Sequence, residues 1–93
     1  MEFLVRIDID LPSGMPASDL EHLTEAERVR GQELMREGKL ARIWRVPGRR
    51  ANISLYDVKD ATDLHAALAS LPLWPWMSID VQALAQHPLE SAC

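Results

Sequence analysis

Hydrophobic and polar residues alternate along the first segment of the chain, residues 3–11. A period of two is typical of a β-strand with one buried face. The pattern predicts that four apolar residues face the interior, namely Phe3, Val5, Ile7 and Ile9. The strand is expected to end before residues that favour turns, namely Pro12, Ser13 and Gly14.

A long helix is predicted next, over residues 20–37, because apolar residues recur there at helical spacing. Ser18 or Asp19 is the predicted N-cap, since short polar side chains favour that position. Gly38 is expected to end the helix, as glycine commonly does.

Three further segments alternate and predict strands, at residues 39–46, 51–58 and 77–84. A turn at Pro47 and Gly48 joins the first two as a hairpin. Between the last two, residues 61–71 predict a shorter helix with Asp60 or Thr62 as its N-cap. The apolar stripe of this helix comprises Leu64, Ala67, Leu68 and Leu71.

The predicted elements follow the order βαββαβ in one domain that spans residues 1–93. This order predicts an α+β, ferredoxin-like fold, in which a four-stranded antiparallel sheet carries both helices on one face. The residues predicted under the helices are Val5, Ile7, Ile53, Leu55, Ile79 and Val81. The uncovered face is predicted to carry Arg6, Asp8, Trp44, Asn52, Ser54, Tyr56, Ser78 and Asp80.

The uncovered face of the predicted sheet admits two interpretations. An antiparallel sheet can leave one face in water. However, Leu4, Trp44, Tyr56 and Trp76 make this face more apolar than a solvated face needs to be. Because exposed apolar patches mark interfaces, we predict that two sheets pack face to face as a dimeric α+β barrel.

Composition narrows the function classes. A net charge of −4 over 93 residues, without a basic stripe, argues against binding to nucleic acid. No apolar run approaches the ~18 residues of a membrane span, and the first residues do not begin a signal peptide, so we predict a cytoplasmic protein. Cys93 is the one cysteine, and His22, His65 and His87 lack a metal-ligand spacing, so neither an intramolecular disulfide nor a bound metal is expected.

Glu27 stands out because it interrupts the apolar face of the long helix. At about 100° per residue, it falls inside the stripe that contains Leu20 and Leu34. Burial disfavours a charged carboxylate, so its pKa is predicted to be raised unless a cation lies nearby. A carboxyl group of this kind can take and return a proton near neutral pH. The alternative is a structural ion pair with Arg6, Arg30 or another arginine.

A set of short motifs in a fixed order carries a family resemblance over nearly the whole chain. The motifs are Arg36-Glu37-Gly38, Ile43-Trp44-Arg45, Gly48, Ala51-Asn52-Ile53-Ser54, Tyr56-Asp57-Val58, Leu64-His65, Leu71-Pro72-Leu73-Trp74-Pro75-Trp76-Met77 and His87-Pro88. Together they resemble muconolactone delta-isomerase, an enzyme of the bacterial catechol branch of the 3-oxoadipate pathway. The resemblance implies a cofactor-free isomerase with a ferredoxin-like fold, built from dimers into a homo-oligomer that is a decamer in known members.

The resemblance also implies a substrate and a set of site residues. The family moves the ring double bond of muconolactone, a lactone that carries a carboxylate, to give 3-oxoadipate enol-lactone. The family's catalytic glutamate matches Glu27, which we expect to remove a ring proton and return it two carbons away. Asn52 and Ser54 are predicted to donate hydrogen bonds to the lactone oxygen. Trp44 is predicted to pack on the ring.

The chain departs from the family pattern at Leu40-Ala41, where members carry a Trp-Arg pair. The substrate carboxylate therefore needs another arginine. Three candidates lie on the second strand or beside the third, namely Arg42, Arg45 and Arg50. Of these we favour Arg45, and Arg6 on the first strand is also predicted to bind the substrate.

Three alternative functions remain open at this point. A chloromuconolactone dehalogenase resembles the family closely and would release chloride. A cofactor-free monooxygenase of the dimeric barrel type would require oxygen. A non-catalytic protein of the same fold would only bind a small acid.

Overall fold

The computed structural model describes residues 1–91, and Cys93 lies outside the described residues. The strands are β1 (Glu2–Ile9), β2 (Leu40–Arg45), β3 (Ala51–Asp57) and β4 (Met77–Leu84). The helices are α1 (Ala17–Arg36), α2 (Ala61–Ala69) and the short α3 (Pro88–Ser91), and a 3₁₀ turn at Trp74–Trp76 precedes β4. No helix in this part of the chain has the length and apolar character needed to cross a membrane.

The four strands form one antiparallel sheet in the order β2-β3-β1-β4. Both long helices pack on the same face, because Leu34 of α1 and Leu64 of α2 share one core with Phe3 and Val5 of β1. Each fully buried side chain of this size stabilises the fold by about 1.5–3 kcal/mol. The predicted ferredoxin-like architecture is therefore confirmed.

The predicted orientation of β3 is wrong. Val5, which is fully buried under the helices, lies directly opposite Ser54 in the antiparallel register. Directly opposite residues share one face of a sheet. The helix face of β3 therefore carries residues that were predicted for the uncovered face, namely Asn52, Ser54 and Tyr56. The residues predicted under the helices lie on the other face, namely Ile53 and Leu55.

This error has a physical cause. Alternation sorts the residues of a strand into two sets, but the pairing register decides which set faces the core. β3 pairs with β1, and the residues of β1 that face the helices are buried. The residues of β3 that lie opposite them must therefore face the helices too. By contrast, Ile79 and Val81 of β4 lie on the helix face as predicted, opposite Ile7 and Val5. The sheet face away from the helices, called the open face below, carries Leu4, Arg6, Trp44, Ile53 and Leu55 together with polar residues.

A register shift in β2, between Leu40 and Arg42, changes the faces of its residues. Leu40 is buried on the helix face, whereas Trp44 lies on the open face, as predicted. An extra residue in a strand reverses the alternation beyond it. The same shift brings Arg45 to the helix face, directly opposite Asn52.

Helices α1 and α2 begin in different ways. α1 starts immediately after Pro16 without a side-chain cap, so Ser18 and Asp19 lie in its first turn and the predicted caps are wrong. Proline is well suited to this place because its fixed φ suits a helix start and it lacks an N–H. Asp60 caps α2 as predicted, since its carboxylate accepts a hydrogen bond of 2.8 Å from the N–H of Asp63.

Two glycines close turns where other residues would be strained. Gly38 follows α1 with a φ of 78°, and Gly48 lies in the hairpin between β2 and β3 with a φ of 77°. Residues with a side chain rarely adopt such angles. The predicted end of α1 at Gly38 and the predicted turn at Gly48 are both confirmed.

Candidate active site

A cleft runs between α1 and the helix face of β2 and β3. It consists of two cavities of about 530 Å³ and about 410 Å³, volumes that suit small ligands. The cavities lie side by side, since they share five lining residues, namely Ile9, Thr24, Ile43, Arg45 and Asn52. The residues of α1 that line the cleft form one helical face and include Leu20, Thr24, Glu27 and Gly31.

Glu27 lies half-buried in the cleft, near the middle of α1. Its Oε1 accepts a hydrogen bond of 3.0 Å from the main-chain N–H of Leu73, in the turn after α2. Burial raises the pKa of the Glu27 carboxyl above its ordinary value, and the hydrogen bond from Leu73 opposes that shift. The inward position and the raised pKa agree with the prediction from the helical pattern.

No ion pair involves Glu27 within residues 1–91. Arg30, the predicted partner from the same helix, instead approaches Glu33 at 3.5 Å and Glu37 at 3.8 Å. Arg6 lies on the open face, on the other side of the sheet. The interpretation of Glu27 as one half of a structural ion pair is therefore wrong.

Three residues of β3, called the polar row below, face α1 at alternate positions, namely Asn52, Ser54 and Tyr56. The Ser54 side chain is 1% exposed, and its hydroxyl donates a hydrogen bond of 3.1 Å to Oδ1 of Asn52. This bond holds the amide by its oxygen. The side-chain N–H groups of Asn52 have no partner among residues 1–91, so they are available to a ligand in the cleft.

Two of the three candidate arginines line the cleft. Arg45 borders both cavities, and Arg50 borders the larger one. Neither forms an ion pair with any residue that the structure describes. The guanidinium of the third, Arg42, lies over the Trp44 ring at 4.8 Å, on the open face. Positive charge without a carboxylate partner therefore lies beside the polar row.

The structure does not bring Trp44 and Arg6 into the cleft. Trp44 is 43% exposed on the open face. Arg6 donates hydrogen bonds of 2.9 and 3.2 Å to Asp8 on that same face. Neither residue lines either cavity, so a single copy of the chain does not support their predicted contact with the substrate.

Two features of the cleft were not predicted as functional. Tyr56 was predicted on the same face as Asn52 and Ser54 but was given no functional role, although its spacing from Ser54 signals a shared site. The main-chain N–H of Leu73 has no such signal, because every residue except proline carries one. The turn after α2 places this N–H where it donates a hydrogen bond to Glu27.

The arrangement suits the movement of a proton within a small anion. α1 supplies a carboxyl group with a raised pKa, which can take a proton and return it. β3 supplies amide N–H groups that can stabilise negative charge on an oxygen. Arg45 and Arg50 supply positive charge at the same cleft.

Comparisons with known proteins identify the relatives of this chain. The sequence model of the family described as muconolactone delta-isomerase matches residues 1–90. The muconolactone delta-isomerases of Acinetobacter baylyi and Cupriavidus pinatubonensis are 44% and 43% identical to this chain, over 95% of it and over 92% and 96% of their own lengths. A crystal structure of muconolactone isomerase matches with a TM-score of 0.89 and 39% identity, over 95% of this chain and 92% of that one. The chain belongs to the muconolactone delta-isomerase family.

Proposed function

We propose that the protein isomerises muconolactone to 3-oxoadipate enol-lactone by moving one proton within the lactone ring. The observation that carries this proposal is the state of Glu27. Its carboxyl group is half-buried, has a raised pKa and no cationic partner among residues 1–91, and lies in a cleft with hydrogen-bond donors. The relatives share a name that specifies muconolactone as the substrate, and the cleft residues support the proton transfer.

Glu27 acts first as a base. Its carboxylate takes the proton from the ring carbon that bears the carboxymethyl group, and the electron pair moves through the double bond to the carbonyl oxygen. The product of this step is a dienolate. The protonated Glu27 then returns the same proton to the carbon beside the carbonyl, two carbons away on the same ring face. The double bond has moved, and Glu27 is a carboxylate again.

Asn52 stabilises the dienolate. Its N–H groups donate to the oxygen on which negative charge develops, which is the usual way in which enzymes lower such barriers. Ser54 holds the amide by its oxygen rather than donating to the substrate, because its hydroxyl is already bonded to Asn52. Arg45, with Arg50 beside it, binds the carboxylate of the substrate through charge-assisted hydrogen bonds.

The test is a substrate assay with and without air. We expect the ultraviolet spectrum of muconolactone to change to that of the enol-lactone at the same rate in both conditions. A requirement for oxygen would indicate a monooxygenase. Binding of the lactone without turnover would indicate a small-acid binder. Chloride release from chloromuconolactone, with no action on muconolactone, would indicate a dehalogenase.

We further propose that two copies associate through the open face. Trp44 is 43% exposed there, on the same face as half-buried Leu4, Ile53 and Leu55. A second copy would cover this apolar surface and bring Trp44 and Arg6 into an interface. The decamer implied by the family resemblance and the cytoplasmic location both stay predictions.

The oligomeric state in solution tests the association. Sedimentation of the parent is expected to give a mass of at least two chains, and Trp44→Asp is expected to lower that mass. Lys59→Asp, an exposed change in the loop before α2, serves as the control and is expected to leave the mass unchanged. A parent that sediments as a single chain would contradict the proposal.

A further inference from the structure

Tyr56 occupies an unusual position in the cleft. Its side chain is 2% exposed, and it lines the smaller cavity together with Glu27, Asn52 and Ser54. It belongs to the polar row, directly opposite Leu40 in β2 and Phe3 in β1. Neither the substrate-binding role of Asn52 nor the base chemistry of Glu27 makes use of it.

The hydroxyl of Tyr56 has no hydrogen-bond partner among residues 1–91. In the same part of the chain, no polar side-chain atom is both fully buried and without a partner. The Tyr56 hydroxyl therefore keeps access to open space, and the space that its side chain borders is the cavity. A phenol O–H that opens onto a cavity and has no partner in the protein is available to donate a hydrogen bond to a bound ligand.

The surroundings of Tyr56 keep its hydroxyl protonated. Burial and the negative charge of Glu27 raise the pKa of Tyr56 to about 12, although Arg30 acts in the opposite direction. At neutral pH the phenol is thus a hydrogen-bond donor and cannot act as a base. This protonation state suits a group that faces developing negative charge.

We propose that Tyr56 is a catalytic residue whose hydroxyl donates a hydrogen bond to the lactone carbonyl oxygen of the bound substrate, beside the amide of Asn52. The inference rests on the proposed isomerase function. Glu27 comes from the helix side of the cavity and the polar row from the sheet side. A flat ring between them presents its carbons to Glu27 and its carbonyl oxygen to β3.

The role of Tyr56 in the proton transfer is electrostatic. Glu27 removes the ring proton, the electron pair reaches the carbonyl oxygen, and the hydrogen bond from Tyr56 strengthens as that oxygen becomes negative. Tyr56 keeps its own proton throughout, so the proton on Glu27 remains the one that returns to the ring. The reaction therefore balances without a further acid.

Kinetics of Tyr56→Phe give the first test. Loss of one such donor is expected to lower kcat by about 10²–10³-fold, with KM within about threefold of the parent. The melting temperature is expected not to fall, because the hydroxyl has no partner in the protein to lose. The acid side of the pH–rate profile is expected to stay in place, since a residue that only tuned Glu27 would shift it.

Two results of this experiment would overturn the inference. One is a kcat within about threefold of the parent, and the other is a shifted pH–rate profile that restores kcat at a different pH. The parent enzyme separates the two proposals. A parent that does not isomerise muconolactone contradicts the proposed function, whereas an active parent with an equally active Tyr56→Phe contradicts only the role of Tyr56.

Fluorine NMR gives a second test that does not depend on turnover. Tyr56 is the one tyrosine of the chain, so growth on 3-fluorotyrosine places a single fluorine label beside its hydroxyl. In the Glu27→Gln background, which is expected to bind substrate without converting it, saturating muconolactone should move the fluorine resonance. Cyclopentylacetate keeps the ring size and the carboxylate but lacks the carbonyl oxygen, so it should move the resonance less. An equal shift with both ligands, or no shift with muconolactone, would overturn the inference.

Discussion

The main-chain N–H of Leu73 donates a hydrogen bond of 3.0 Å to the carboxylate of Glu27, 46 positions away in the sequence. The turn that holds Leu73 is itself bonded, since the N–H of Trp74 donates to Leu71 at 2.9 Å and that of Trp76 to Leu73 at 2.9 Å. One carboxylate oxygen is thus held by the main chain, and the other accepts no hydrogen bond from residues 1–91. This relationship orients the proposed base without a cation that would lower its pKa.

Glu27→Gln is expected to lower kcat by about 10²–10⁴-fold, which is the usual contribution of a general base. Glutamine keeps the shape of the side chain and an oxygen that can accept the Leu73 hydrogen bond, so substrate binding should be retained. Ultraviolet assays give kcat, and calorimetry with muconolactone gives the affinity. Glu21→Gln is the matched control, because Glu21 is exposed on the same helix and pairs with no described cation. Near-normal turnover of Glu27→Gln would contradict the proposed base.

The raised pKa of Glu27 predicts that this residue costs stability near neutral pH. A carboxyl group with a pKa above its ordinary value of 4.5 binds its proton more tightly in the folded state than in the unfolded state. Its contribution to stability is complete below that ordinary value and is lost as the pH rises through the folded pKa. Glu27→Gln cannot ionise, so it is expected to melt at a higher temperature than the parent at about pH 8.

Melting curves at several pH values check this prediction. The difference between Glu27→Gln and the parent is expected to shrink as the pH falls and to vanish below about pH 4, where both side chains are neutral. A parent that is the more stable protein at pH 8 would show that the Glu27 carboxylate is not penalised by burial.

The fold follows from the sequence more directly than the site does. Alternation and turn residues predict all four strands because these signals are local and agree with one another. The orientation of β3 is not local, since it depends on which residue of β1 lies opposite Ser54. Because Ile53 and Leu55 are apolar, the sequence pattern places them under the helices. The pattern does not reveal that a cleft under α1 takes the polar residues of β3 instead.

Apart from Glu27, the site depends on contacts that no local pattern encodes. Glu27 could be predicted because a carboxylate in an apolar stripe conflicts with the rest of its helix. Arg45 reaches the cleft only because the shift between Leu40 and Arg42 reverses the alternation of β2. The hydrogen bond from Leu73 joins distant parts of the chain through a main-chain group that carries no residue-specific signal.

A double-mutant cycle distinguishes two roles for Ser54. Its hydroxyl donates to Oδ1 of Asn52, so we expect it to act by holding the amide in place. Ser54→Ala is then expected to lower kcat about tenfold, and Asn52→Ala more strongly, because the amide touches the dienolate. The double variant should be no slower than Asn52→Ala, since Ser54 has nothing left to orient. If the reduction in kcat of the double variant equals the product of the two single reductions, Ser54 contacts the substrate itself.

The stability of Ser54→Ala is a further readout. Removal of the hydroxyl leaves Oδ1 of Asn52 without its donor in a half-buried site, which is expected to lower the free energy of unfolding by about 1–3 kcal/mol. In the Asn52→Ala background the same change should cost less, because no acceptor remains unpaired. Urea unfolding of the parent, the two single variants and the double variant measures the cost of Ser54→Ala in both backgrounds.

Arg45 is predicted to recognise the carboxylate of the substrate rather than its ring. It borders both cavities and has no carboxylate partner among the described residues. Arg45→Ala is therefore expected to raise KM for muconolactone by about tenfold or more, as the loss of a charge-assisted hydrogen bond would. A substrate without the charge provides the sharper comparison, because muconolactone methyl ester keeps the ring and loses the anion.

The parent is expected to prefer the acid to the ester, and Arg45→Ala is expected to lose most of that preference, which kcat/KM for the two substrates measures. Arg50→Ala should weaken the preference less, because Arg50 borders only the larger cavity. Arg49→Ala is the control, since Arg49 lies at the same hairpin but lines neither cavity. If Arg45→Ala keeps the full preference while Arg50→Ala abolishes it, Arg50 rather than Arg45 binds the carboxylate, and the proposed role of Arg45 is contradicted.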